Sequence, residues 1–494
     1  MKKFALLLAL AASLLLPLSA IHAIEVQNLR CEYLKDPLGI DATKPRLSWV
    51  LEDDERGQKQ TAYQILVASS PEILAKDQGD LWDSGKVVSD RSNHVEYAGK
   101  PLGSQSACHW KVRVWDKDGE ESDWSEPALW TMGLLKPEDW TAKWIGYDAA
   151  EKLSPEEAAD AQLLNLRGLG WHQVKDGKPG AVSCFRKNFE IAADRKVRRA
   201  VLVLYAYHFC EAAVNGTAIG SSAHWQRTAR LDATKALHAG KNLVTLAVSH
   251  TDPYPPAVIG KLVVQFESGP DEIVPIDKTW KAAQSPADGW QTAGFDDKAW
   301  NEAAPGGYTF GVQADLDRVP APYLRKNFEV GGKVKRAMVY VTALGTYELR
   351  LNGKKVGNDV LTPGWPEFRK RVHYQTYDVT GQLEPGANTI GAILGDGWYA
   401  SNLAHLCRRK FYGGNPRFLA QLVVEMEDGT KKVVATDADW KASYGPIRHA
   451  DLQLGCEYDS RLEMPGWDTP GFNESGWNPV DAGLASSGQK DVLN

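Results

Sequence analysis

The residues of this 494-residue chain that could do chemistry gather toward its C-terminal end. At 394–401 the sequence reads LGDGWYAS, with Asp396 between two glycines and followed at once by Trp398 and Tyr399. Aromatic side chains belong in cores, whereas flanking glycines mark a turn. The segment runs on through Arg408, Arg409, Tyr412 and Asn415. Flat rings suit the apolar face of a sugar, and acid, amide and guanidinium groups suit its hydroxyls. The plain alternative is that Trp398 and Tyr399 cap one end of a sandwich while the two arginines pair with acids. Upstream, NDVLTPGW supplies Asn358, Asp359 and Trp365. Oxygen ligands such as Asn358 and Asp359 suit calcium, although the spacing is not that of an EF-hand. Downstream, CEYDSRLE places Glu457, Asp459 and Glu463 close together, and cleavage of a glycosidic bond needs two carboxyl groups. Strand alternation would put Glu457, Asp459 and Arg461 on one face. An Arg461 salt-bridge network holding a loop or an interface fits the same residues. No P-loop, HExxH motif or nucleophile elbow occurs.

These residues need a scaffold, and the pattern predicts an all-β one. Short alternating segments such as AVLVLYAY, AMVYVTAL and QLVVEMEDG are separated by Gly, Pro, Asn and Asp. Only 151–168 looks helical. Residues 24–135 have the two-sheet pattern of an immunoglobulin-like or fibronectin type III domain, with Trp49 and Tyr63 in its core and a hairpin turned at Asp116 to Gly119.

An internal repeat follows. CFRKNFEI (184–191) matches YLRKNFEV (323–330), and VRRAVLVLYAYHFCEAAVNGTAIG matches VKRAMVYVTALGTYELRLNGKKVG without a gap. The copies close alike, on GWQTAGFDDKAW (289–300) and GWDTPGFNESGW (466–477). Residues 141–319 and 320–482 therefore read as two copies of one jelly-roll sandwich, with Asn215-Gly216 and Asn352-Gly353 at hairpin turns. The second copy is enlarged at 358–377, 395–418 and 445–465. All three enlargements fall between shared strands, and loops grafted on a rigid sandwich are where function usually sits.

The start of the chain, MKKFALLLALAASLLLPLSA, has the layout of a secretory signal peptide over 1–23, and the remainder is expected to be exported to the periplasm or beyond. The ~470 residues left amount to three or four domains at roughly 150 residues each. A composition of 43% hydrophobic and 24% charged residues is that of ordinary globular material. A net charge of −6 argues against nucleic acid and anionic membrane surfaces as partners. The six cysteines are scattered, which indicates neither a zinc site nor a disulfide framework but leaves room for one or two bridges. Eighteen tryptophans serve sandwich cores and carbohydrate surfaces alike.

NGKKVGNDVLTPGW, RVHYQTYDVT, GAILGDGWYAS, GCEYDSRLEMPGWDTPGF and the early NLRCEYLKDPLGID together resemble bacterial α-L-rhamnosidases of glycoside hydrolase family 78. The likeness covers 24–135 and 320–482 closely and the first copy more loosely. It implies inverting hydrolysis of terminal α-L-rhamnosyl residues by two carboxyl groups set apart by a water. In that family those carboxyl groups lie on an (α/α)6 barrel that follows the β-domains. The sequence stops at Asn494 with no helical hairpins, so 483–494 reads as a truncated tail, and no residue is assigned a catalytic role. The chain is expected to be the non-catalytic half of such an enzyme. Its expected partners are a rhamnose-containing glycan and the missing barrel. In some members of the family the domain matching 320–482 binds rhamnose through calcium. By position its acid would fall at Asn358, with Asp359 beside it, an order that departs from the family pattern. Trp365, Asp396, Trp398 and Asn415 occupy family-like positions. GDGWYAS could equally pack the sandwich and help dock the barrel.

Overall fold

The computed structural model describes residues 24–149, 155–166, 168–206, 208–223, 228–249, 251, 253–306, 319–403 and 410–483. Residues 1–23, expected to be a signal peptide, and Cys407, Arg408, Arg409 and 484–494 lie outside them. The chain is all-β, as the alternation predicts. The helix expected within 151–168 spans Pro155–Leu164.

The N-terminal domain packs a three-stranded sheet (Glu25–Cys31, Arg46–Glu52, Val95–Glu96) on a five-stranded one built around Ala62–Ala68 and Ala107–Trp115. Trp49 and Tyr63 meet edge to face in its core, 5.3 Å between centroids, as their positions in the sequence predict. The Trp49 indole N–H donates to Gln60 Oε1 at 3.0 Å, which satisfies the one polar atom that burial would strand.

Two sandwiches of two six-stranded sheets each follow, and their strand orders are identical. In the first, Ser183–Ile191 lies between Gly240–Ser249 and Lys281–Gln284. In the second, Pro322–Val330 lies between Gly386–Gly395 and Lys441–Tyr444. The Asn-Gly hairpins form as expected, Val214 facing Thr217 and Leu351 facing Lys354. Each asparagine adopts positive φ, 52° and 49°, and each also braces a neighbour. The Asn352 amide donates to Asn388 Oδ1 (2.7 Å) and the Gln382 carbonyl (2.9 Å), and Asn215 makes the matching pair with Asn242 and Ala236.

The boundary between the copies differs from the sequence reading. The short strand Ile145–Gly146, placed in the first copy by an edge at 141, belongs to the second sandwich. It pairs with Arg417–Met426 on one side and Asp481–Ala482 on the other. In the first sandwich His172–Gln173 does the same between Ala257–Phe266 and Ala304–Pro305. The copies are thus nested: the second begins before the first and resumes after it. The physical reason is closure, because without a strand at that place Arg417–Met426 and Asp481–Ala482 would each face an unpaired edge.

Among the described residues, three pieces of the second sandwich have no counterpart in the first. They are the helical turn Gly397–Ala400, the hairpin Ile447–Asp451 with Gly455–Tyr458, and the 3-10 turn Ser460–Leu462. All arise from the enlarged segments.

Candidate functional site

The glycines around Asp396 serve close approach between chain segments. Gly397 has φ +53°, and a Cβ there would stand 2.5 Å from the Gly345 carbonyl carbon. A Cβ on Gly395 would stand 2.7 Å from Thr346 Oγ1. Two backbone segments therefore cross in contact at a conformation that L side chains resist. The crossing fixes the helical turn that aims Trp398 and Tyr399. Tyr399 is buried and packs edge to face on Phe368 at 5.4 Å. Its hydroxyl fills the space that a side chain at Gly413 would need. Gly413→Ala is accordingly expected to destabilise the chain by about 1–3 kcal/mol through overpacking, read as a lower urea midpoint.

Trp398 and Trp365, 33 positions apart in the sequence, stack face to face with centroids 4.4 Å apart and planes 1° from parallel. Trp365 is 55% exposed, so its outer face is open to solvent. Its indole N–H donates to the Tyr412 hydroxyl at 3.0 Å. Arg369 lies over the Phe411 and Tyr412 rings, and its guanidinium donates to the Phe411 carbonyl at 2.7 Å. Every group that sets the angle of Trp365 is held in turn by a neighbour.

The other candidates do not join this platform. Asp359 Oδ2 accepts from the Tyr377 hydroxyl (2.8 Å), and the Lys355 ammonium donates to the Asp359 carbonyl (3.3 Å). Among the described residues no group of three acids, histidines or cysteines forms around Asp359. Asn415 donates to Asp148 Oδ1 at 3.0 Å beside Arg417, which reaches both Asp148 oxygens. Burial opposes ionisation of Asp148, but the Arg417 and Asn415 hydrogen bonds outweigh it and hold its carboxyl below the usual range. Asn415 thus ties the early strand to its sandwich.

Asp396 is buried, and two residues from a different loop converge on it. Ligand atoms of Asp396, His449 and Asp451 all lie within 4.8 Å of one another. That donor set could suit a small cation, but Asp451 is already saturated. Its Oδ1 accepts from the Gln453 and Leu454 N–H groups, both at 2.9 Å, and its Oδ2 from the Asn402 N–H (2.8 Å) and amide (2.9 Å). Asp451 pins two loops together. Its signal was the run DLQL, an acid ahead of backbone donors two and three residues on.

Asp459 and Glu463 serve the loop. Arg461 binds Asp459 through Nε at 2.8 Å and through a second guanidinium nitrogen. That hydrogen bond holds the Asp459 carboxyl at about 2. Glu463 accepts from the Tyr458 hydroxyl at 2.9 Å.

An immunoglobulin-like domain leading two nested sandwiches, with stacked tryptophans on the second, defines a modular all-β assembly. Residues 26–136 match the Rha78A-like N-terminal immunoglobulin domain, and residues 332–491 match the α-L-rhamnosidase N-terminal domain. An α-L-rhamnosidase of Streptomyces avermitilis is 40% identical over 477 residues, 93% of this chain and 45% of that protein. One of Formosa agariphila is 27% identical over 452 residues, 91% of this chain and 32% of that one. The crystal structure of the Streptomyces avermitilis α-L-rhamnosidase with L-rhamnose superposes with a TM-score of 0.61 at 38% identity, covering 95% of this chain and 45% of that one. The Dictyoglumus thermophilum α-L-rhamnosidase gives 0.56 at 26% identity, covering 93% and 34%. The chain belongs to the α-L-rhamnosidases of glycoside hydrolase family 78, as an N-terminal portion. It spans less than half the length of the curated relatives it matches.

Proposed function

We propose that this chain is the non-catalytic, carbohydrate-capturing portion of an exported α-L-rhamnosidase, whose whole length hydrolyses terminal α-L-rhamnosyl residues with inversion. The observation that carries the capture role is the Trp365–Trp398 stack with its outer face open. A pyranose has an apolar face of C–H groups that lies flat on an indole, and the hydrogen bond to Tyr412 fixes the ring before the sugar arrives. The test is calorimetric titration of the chain with L-rhamnose, in calcium and then in chelator. Binding is expected in both buffers, because the Trp365–Trp398 stack is held by protein groups alone, and Trp365→Ala should abolish it without lowering Tm. Absence of heat in either buffer sinks the capture role.

A second reading has its own observation. Val360 (78% exposed), Leu361 and Phe411 are exposed in the same loops. Apolar surface of that kind is what a scaffold for a catalytic barrel would present. The scaffold reading predicts that the chain self-associates in a way that Val360→Asp suppresses, with no sugar response.

A further inference from the structure

A cleft of about 580 Å³ separates the immunoglobulin-like domain from the second sandwich. Asp41 and Lys136 stand on the side of the first domain, and Arg371, His373 and Tyr374 on the side of the sandwich, with Trp140 in the wall between them. Ligand sites have volumes of roughly 300–1,000 Å³ and favour domain boundaries. The walls are fixed in place. The Leu134 N–H donates to the Tyr374 hydroxyl at 3.0 Å, and Thr141 donates to Gln421 Oε1 through its N–H (2.7 Å) and its hydroxyl (2.8 Å). Trp140 packs edge to face on Tyr374 at 5.4 Å.

The charges inside are what a ligand would use. Asp41, Lys136, Arg371 and His373 are exposed, and none of them forms an ion pair among the described residues. Glu32, also on the cleft, is neutralised by a bidentate contact with Arg46. What remains is two unpaired cations, one unpaired acid and an indole. A planar guanidinium matches a carboxylate through two parallel hydrogen bonds. A free carboxylate accepts from hydroxyls, and an indole offers an apolar wall. An acidic sugar carries a carboxylate, hydroxyls and an apolar face together.

We propose that the cleft binds a short oligosaccharide containing a hexuronate, with Arg371 and Lys136 on the carboxylate and Asp41 on the hydroxyls. The proposal shares with the capture reading only the expectation of a carbohydrate ligand, and it uses none of the residues of the Trp365 platform.

The test titrates the full chain with trigalacturonate at low salt, with maltotriose as the neutral control and L-rhamnose as the separate probe of the platform. Trigalacturonate is expected to bind and to weaken as salt rises, and Arg371→Met should weaken it by at least about tenfold. Trp365→Ala should leave it unchanged. Arg371 is exposed and unpaired, so the variant will fold, and a matching Tm checks this. No binding of trigalacturonate, equal binding of maltotriose, or full affinity in the Lys136→Met/Arg371→Met double variant would each overturn the proposal. Because L-rhamnose reads the platform and trigalacturonate the cleft, failure of one reading does not imitate failure of the other.

Discussion

Residues 320–483 expressed alone will not fold cooperatively, whereas residues 140–149 joined through a short flexible linker to 320–483 will. The separate segment loses the strand Ile145–Gly146, and with it the partner of both Arg417–Met426 and Asp481–Ala482. Ile145 and Tyr147 are core residues of the second sandwich, and Trp144 is buried beside them. Burying each such side chain is worth about 1.5–3 kcal/mol. Arg417, nearly fully buried, also loses Asp148, and stripping a buried ion pair of one partner costs about 3–5 kcal/mol. Backbone bonds from Lys143 to Thr436 (2.8 Å) and from Gly483 to Trp144 (2.7 Å) go as well. Together these losses match the entire stability of a typical domain, about 5–15 kcal/mol. The linker can be short because Tyr147 lines the same small cavity as Pro320 and Ala321. Circular dichroism melts of the two polypeptides decide it: a sharp transition in 320–483 alone would show that the nested strand is dispensable.

That dependence was not legible in the sequence, and the reason is physical. Two residues of strand carry no period, so the segment WIGY offers only a tryptophan, matched in the first copy by Trp171 ahead of its own two-residue strand. The longer strands were legible because each runs nine to eleven residues, long enough for an apolar, β-branched segment to stand out between turn residues. The candidate site divides the same way. Trp365 and Trp398 were visible as types, but their stacking depends on a crossing at Gly345 and Gly397 that no local pattern encodes. Asn415 read as a candidate sugar ligand from its residue type and position, and its partner Asp148 lies 267 positions away in the sequence. His449 and Asp451 were missed because their neighbour Asp396 comes from a different loop.

Glu474→Ala will destabilise the second sandwich more than Arg325→Met will, even though both break the same pair. Arg325 is buried among the blocks that made the repeat most visible, RKNFE and GWDTPGFNESGW. Its guanidinium binds Glu474, Asn327 Oδ1 (3.0 Å) and the Thr469 carbonyl (3.1 Å), and lies over the Phe472 and Trp477 rings at 5.3 and 5.9 Å. The first copy repeats the clamp with Arg186. It binds Asp297 (2.9 Å) and the Trp290 and Thr292 carbonyls beneath Phe295 and Trp300. The closing motif is alike in both copies because it cages an arginine. Burial works against the charge of Arg325, so removing Glu474 leaves a cation in a place water cannot reach, at about 3–5 kcal/mol. Arg325→Met removes that charge and keeps most of the volume, while Glu474 stays about one-third exposed and turns to solvent. The expected cost is about 1–3 kcal/mol, mainly for the stranded Thr469 carbonyl. Urea unfolding of the two variants gives the order directly, and the double variant should lie close to Arg325→Met alone. A larger loss for Arg325→Met would mean that the guanidinium is held for its hydrogen bonds and ring contacts, and that its charge is already well solvated.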